Sequence, residues 1–269
     1  MLFRMIFHGE AQRMPMTMKN DAQELFSPTM TYPIRLNRYL AACGLGARRK
    51  VEQLILEGRV GIDGAVETTL GRVLTQPCSV TVDGREISFS PHLYLVMNKP
   101  TGILSAVEDK RERTVLDLLP EKYRKLRPFP VGRLDKDSEG LLILTNDGDC
   151  AQRIIHPSAE IPRTYEVLIY PSLDTKQVAE WRTGVNIMGR RFVPLAVEAL
   201  DGNRRCFFKV VLREGIKREV RLMVKSFGSR VQSLRRVALG GLLLGDLPTG
   251  SFLEFSRDQL WNEILKEKI

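Results

Sequence analysis

The order of the apolar runs constrains this chain most. Strand-like runs lie at residues 94–97, 141–145, 165–169, 206–212 and 252–255. Helix-like stretches fall between them, at 150–155, 175–181 and 218–227. There is no regular βαβ repeat, so the order predicts an α+β fold with a largely antiparallel, mixed sheet. No internal repeat or low-complexity segment interrupts it. Pro91 and His92 mark a join, and the segment 91–269 is long enough for an independent core. No apolar run approaches the ~18 residues of a membrane span.

A smaller unit precedes this one, over residues 31–90. Leu36, Tyr39 and Leu40 recur at helical spacing, and Gly44 stops the turn. Val51, Leu54 and Ile55 line one face of a second helix, which Gly58 ends. Asp63-Gly64 and Asp83-Gly84 are hairpin signals flanked by Val60, Ile62, Val80, Val82 and Ile87. Between Arg35 and Arg59, six basic residues stand against two acidic ones: Arg35, Arg38, Arg48, Arg49, Lys50 and Arg59. Such a cluster reads either as a solvated face or as a surface for a phosphate backbone. The first thirty residues differ from the rest. They hold six of the nine methionines and lack the basic-then-apolar pattern of a secretory signal, so a poorly ordered tail is expected.

Charge and motifs narrow the chemistry. Lys and Arg number 41 against 32 Asp and Glu, a net charge of +9 that favours anionic partners. Residues 203–236 carry eleven basic and two acidic residues, an excess equal to that of the whole chain. The four cysteines are far apart and form no CxxC pair, against a zinc site or a disulfide scaffold. No P-loop, dinucleotide fingerprint, HExxH or GxSxG is present. What stands out is the run from Val131 to Gly148, in which Arg133, Asp135, Lys136, Asp137 and Glu139 crowd a loop just before an apolar strand. A lone Asp there reads most simply as a turn cap. A carboxylate beside an Arg is also a candidate nucleophile, held ionised by its neighbour.

The wider pattern decides between these. Gly132-Arg-Leu-Asp-x-x-Ser-x-Gly-Leu-Leu-x-Leu-Thr-Asn-Asp-Gly148 resembles the active-site motif of the RsuA/RluB family of RNA pseudouridine synthases. Lys99-Pro100-x-Gly102, His156-Pro157, Arg163-Thr164-Tyr165, Glu214-Gly215-x-x-Arg218-Glu219-Val220-Arg221 and Gly245-Asp246-Leu247-x-x-Gly250 resemble its other motifs, in order. The stretch from Leu36 to Gly64 resembles the S-four RNA-binding module of ribosomal proteins, with Ala47 where a Ser usually caps the second helix. The absent Ser costs about 1 kcal/mol of local stability.

The resemblance implies a pseudouridine-synthase domain over 91–269 after an S-four-type RNA-binding domain over 31–90. It implies isomerisation of uridine to pseudouridine in ribosomal RNA, with base flipping and no metal or other cofactor. Asp135 is then the nucleophile, adding to the uracil ring or to ribose C1′. Arg221 is its ion-pair partner, with phosphate binding as the simpler alternative. Tyr165 stacks on the extruded uracil, or is only a core tyrosine. Arg133 fills the gap left by the flipped base or binds phosphate. Lys99 is a turn or phosphate contact rather than a base. Lys217 and Arg218 join Arg35, Arg38, Arg48, Arg49, Lys50 and Arg59 as RNA contacts. Ile216-Lys217 departs from related sequences, which often carry a basic residue and Asn there, so RNA preference is open to change.

Glu219 and Arg221, with His156-Pro157-Ser158, resemble the large-subunit type, which points to 23S rather than 16S rRNA. A cytoplasmic monomer is expected. A binding-only assembly protein that kept the fold is the competing reading, and the intact Asp135, Tyr165 and Arg221 argue against it.

Overall fold

The computed structural model describes residues 32–213, 215–216 and 218–266. The Met-rich segment 1–30, Glu214 and the candidate RNA contact Lys217 lie outside the described residues.

The N-terminal segment folds as β1 (Ile34–Arg35), α1 (Leu36–Ala42), α2 (Arg48–Leu56), β2 (Val60–Ile62), β3 (Ala65–Glu67), β4 (Val73–Leu74), β5 (Val80–Val82) and β6 (Arg85–Glu86). Strands β3-β2-β5-β6 make one antiparallel sheet, and β1 pairs with β4. Both Asp-Gly pairs turn with positive φ at each residue, 49° and 85° at Asp63-Gly64 and 52° and 75° at Asp83-Gly84. That is the geometry a two-residue hairpin requires. Leu36, Leu40, Val51, Ile55, Val60 and Val80 bury one cluster between helices and sheet. Ala47 sits at the N-cap of α2 without a side-chain hydrogen bond.

The rest of the chain runs β7 (Tyr94–Lys99), α3 (Glu121–Arg124), β8 (Phe129–Val131), β9 (Glu139–Thr145), α4 (Gly148–Ile155), β10 (Arg163–Tyr170), α5 (Thr175–Thr183), β11 (Val185–Ile187), β12 (Arg190–Phe192), β13 (Ala196–Ala199), β14 (Phe207–Leu212), α6 (Glu219–Ser226), β15 (Arg230–Leu239), β16 (Leu242–Leu243), β17 (Phe252–Phe255) and α7 (Arg257–Leu265). One sheet, ordered β13-β14-β10-β15-β9-β7-β17, carries the structure, with β16 and β8 paired to β15 and β9. Along that order every neighbouring pair is antiparallel except β15 with β9. The fold is therefore α+β with a largely antiparallel, mixed sheet.

Alternation along the central strands divides the core in two. Leu95, Met97, Leu142 and Leu144 face one cluster with Trp181 of α5 and Met223 and Val224 of α6. Tyr94, Val96, Leu141 and Ile143 face the other, with Cys150 and Ile154 of α4 and Leu260 and Ile264 of α7. Because both faces are covered, β9 reads as a continuous apolar run rather than an alternating one. No helix of the described residues is long and apolar enough to cross a membrane.

Strand β15 takes one of the eleven basic residues of 203–236 out of the surface. Arg236 is only 4% exposed, and its Nε donates to Leu141 O at 2.7 Å inside the sheet. Its direct neighbour on β9 is Gly140. A Cβ on Gly140 would lie 2.2 Å from Arg236 O, so the strands pack here only without a side chain.

Candidate active site

The loop 132–138 connects β8 to β9, and its backbone is tied down from several sides. Ser105 Oγ donates to Leu134 O at 2.8 Å and accepts from Leu134 N–H at 3.1 Å. Gly102 N–H donates to Lys136 O at 2.7 Å. Lys136 also pairs with Glu112. Lys99 is fully buried at the end of β7 and donates to Pro100 O at 3.0 Å, Asp135 O at 3.2 Å and Ser138 O at 2.7 Å. Burial pushes its ammonium down to about 8, against the pull of Asp137, Asp135 and Glu139. Of the two expectations for Lys99, the turn contact holds and the phosphate contact does not. No phosphate reaches a residue with no exposed surface, and Lys99 instead fixes the loop's main chain.

This scaffold leaves the Asp135 carboxylate at a cleft of about 520 Å³, a volume usual for ligand sites. Two guanidinium groups approach the same oxygen. Arg221 Nε is 3.8 Å from Asp135 Oδ2, and Arg218 Nη1 is 3.7 Å from it. Their surroundings differ, since the Arg221 side chain is 12% exposed and that of Arg218 is 49% exposed. Arg221 Nη2 also reaches Asp137 Oδ2 at 3.0 Å, Asp137 O at 3.2 Å and Ser138 Oγ at 3.1 Å. It therefore bridges both loop carboxylates, with Asp137 the nearer one. Burial lowers the Arg221 pKa, Asp137 and Asp135 oppose this, and Arg218 adds to it.

Helix α6 delivers both arginines. Arg218 occupies its N-cap with φ +58°, a left-handed conformation uncommon outside glycine. Val220, Met223 and Val224 then bury the helix's apolar face and fix Arg221 one turn on. Tyr165 comes from β10, where the register against β15 shifts between Thr164 and Tyr165. Such irregularities re-aim side chains beside functional sites. Tyr165 is 8% exposed and lines the cleft with Leu212, Leu234 and Arg236. Arg133 is exposed at the rim, and Arg163 lines the wall opposite Gly215.

The structure thus brings Asp135, Tyr165, Arg133 and Arg218 to one cleft, with Arg221 beneath the carboxylate. The N-terminal candidates are placed elsewhere and are not equivalent. Arg35, Arg49 and Lys50 are exposed. Arg38 pairs with Asp149 of α4, so it faces protein. Arg48 lies near the start of α4, with its Nη2 3.6 Å from the position a Gly148 Cβ would take. Arg59 is held in a fork by Asp83 at 2.6 and 2.8 Å and by Glu57 at 3.3 Å. Sequence reasoning missed Ser105, Asp137 and Ser138 as supports of the loop. A lysine close behind the apolar run 94–97 was the one legible signal for Lys99.

Residues 93–226 match the family model for RNA pseudouridylate synthase. An uncharacterized RNA pseudouridine synthase of Bacillus subtilis, YtzG, is 35% identical over 84% of this chain and 97% of its own length. An uncharacterized RNA pseudouridine synthase of Mycobacterium tuberculosis is 40% identical over 81% of this chain and 88% of its own. The ribosomal large subunit pseudouridine synthase B of Bacillus subtilis is 32% identical over 82% and 92%. A crystal structure of a pseudouridylate synthase shares the fold with a TM-score of 0.62, at 22% identity over 86% of this chain and 100% of that one. By its sequence relatives and its fold, the chain belongs to the RNA pseudouridine synthase family.

Proposed function

We propose that the protein isomerises a specific uridine of 23S ribosomal RNA to pseudouridine, with Asp135 as the nucleophile. The observation that carries this is the Asp135 carboxylate at the cleft, its Oδ2 flanked at 3.8 and 3.7 Å by Arg221 and Arg218. The likeness to a protein named for the ribosomal large subunit supports 23S rRNA as the target.

In this reading the uridine leaves its stack and enters the cleft. Asp135 adds to the ring or to ribose C1′ as the N1–C1′ bond breaks. The base turns and C5 bonds to C1′; the bond to Asp135 breaks, by displacement from C1′ or elimination from the ring, and returns the free carboxylate, while C5 loses its proton and N1 takes one up. Arg221 keeps the carboxylate charged and aimed through a fork that also grips the loop. Tyr165 lies in the wall where the flipped ring stacks, beside the path of the C5 proton. Arg133 at the rim faces the gap left in the RNA. Residues 31–90 serve as the RNA-binding unit through the exposed Arg35, Arg48, Arg49 and Lys50, and residues 91–269 as the catalytic one. Arg38 and Arg59 are paired with carboxylates and contribute less to RNA. Purified protein given 16S and 23S transcripts separately, with pseudouridine mapped on each, tests the assignment. New pseudouridine confined to 16S rRNA refutes the target and leaves the isomerase reading in place.

A further inference from the structure

Gly46 lies in the turn between α1 and α2. A Cβ there would meet Arg127 Nη1 at 3.5 Å, Lys50 Cβ at 3.5 Å and Lys50 Cδ at 3.6 Å. The glycine therefore lets the Arg127 guanidinium, from beyond α3, approach the stem of the Lys50 side chain of the N-terminal unit. Arg127 is exposed and held at φ +51°, which few residues with a Cβ adopt. Lys50 and its neighbour Arg49 are exposed in the first turn of α2. None of these three forms an ion pair among the described residues. Close to them along the chain, Glu52 accepts a hydrogen bond from Asn37 and Glu121 pairs with Lys125, and Asp149 of α4 pairs with Arg38. Converging cations without counter-charge repel one another, and a bound polyanion removes that cost.

The seam itself is fixed by other basic residues. The Arg38–Asp149 pair ties α1 to the start of α4, and the Arg48 side chain lies close to Gly148 there. That leaves Arg49, Lys50 and Arg127 facing outward. From Arg127 the chain enters β8 and reaches Arg133 at the rim of the cleft, a distance of no more than about 21 Å.

We propose that Lys50 and Arg127, with Arg49 beside them, form a phosphodiester-binding site across the seam between the two units. It holds the RNA backbone at the start of a path that ends at Arg133 and Asp135. This deepens the reading of ribosomal RNA as substrate and rests on it. No motif of the catalytic unit marks Arg127, so sequence pattern alone does not reveal the site.

The test is binding of the full chain to a 23S rRNA transcript between 50 and 200 mM salt. Arg127→Gly suits the positive φ, so it removes the guanidinium without straining the fold. One lost phosphate contact makes the log–log salt slope shallower by about 0.7–0.9. The affinity ratio of wild type to Arg127→Gly should then fall about threefold across that range. Lys50→Ala, at an exposed helix position, should show the same change, and Arg127→Lys should keep most of the wild-type slope. Wild-type affinity and slope in both Arg127→Gly and Lys50→Ala overturn the site. Pseudouridine mapping of the same reactions separates the two claims. The predicted slopes without any pseudouridine sustain the seam site and overturn the isomerase reading.

Discussion

Replacing Arg221 by Met removes one of the two cations on Asp135 and the contacts that hold Asp137 and Ser138. At 3.8 Å and an effective dielectric constant near 20, the Arg221–Asp135 attraction is about 4 kcal/mol. Arg218 stays 3.7 Å from the same oxygen and offsets part of the loss. A loss of about 3–4 kcal/mol of transition-state stabilisation corresponds to a 10²–10³-fold slower reaction. The hydrogen bonds to Asp137 O and Ser138 Oγ disappear as well. At about 1 kcal/mol each, they predict a stability loss of about 2 kcal/mol. Arg221→Lys should recover only part of the rate, since a point charge cannot span Asp137, Ser138 and Asp135 together. Single-turnover pseudouridine formation at saturating rRNA measures the rate, and urea unfolding measures the stability. A Met variant within threefold of the parent rate refutes the proposed role of the ion pair.

Gly140→Ala would set a Cβ 2.2 Å from Arg236 O and 2.7 Å from Arg236 N at φ +106°. A destabilisation of about 3 kcal/mol or more is expected in urea unfolding, and wild-type stability contradicts the β9–β15 pairing. Lys99 predicts a pH effect of defined sign. Its folded-state pKa of about 8 lies below its ordinary 10.5, so the unfolded chain binds more protons between those values. Its burial cost applies in full below about pH 8 and is relieved as pH rises toward 10.5. The stability advantage of wild type over Lys99→Met should therefore widen by up to about 3 kcal/mol across that window. A constant gap from pH 7 to pH 10 refutes the burial argument.

What the sequence revealed depended on whether a residue's neighbours lay close along the chain. The Asp63-Gly64 and Asp83-Gly84 turns are local, and both hairpins formed where the pairs stand. Strand β9 was legible because burial on both faces left an unbroken run of apolar residues behind a charged loop. Strand β15, the sheet's longest, was not legible. Arg230, Arg235 and Arg236 interrupt its apolar pattern, and Arg236 is buried with its Nε donating to Leu141 O of the neighbouring strand. Helix α7 escaped for a similar reason, since its apolar face shows little more than Leu260 and Ile264 between charges. Within the site, the motifs pointed to Asp135, Tyr165 and Arg221. The supports from Ser105 and Lys99 arrive from 29 and 36 residues away, a distance at which spacing carries no signal. Nor could spacing show that Arg38 and Arg59 would be held by Asp149 and Asp83.

The central claim, that Asp135 isomerises a uridine of ribosomal RNA, is tested most directly by one comparison. Wild type and Asp135→Asn are each incubated with deproteinised rRNA transcribed without modification, and every pseudouridine formed is mapped. Asparagine keeps the volume of the side chain and removes the nucleophile. Wild type should form pseudouridine at a defined uridine, and Asp135→Asn none at that site despite binding the same RNA. Equal yields from the two proteins would remove Asp135 from the mechanism, and no pseudouridine from wild type would contradict the account as a whole.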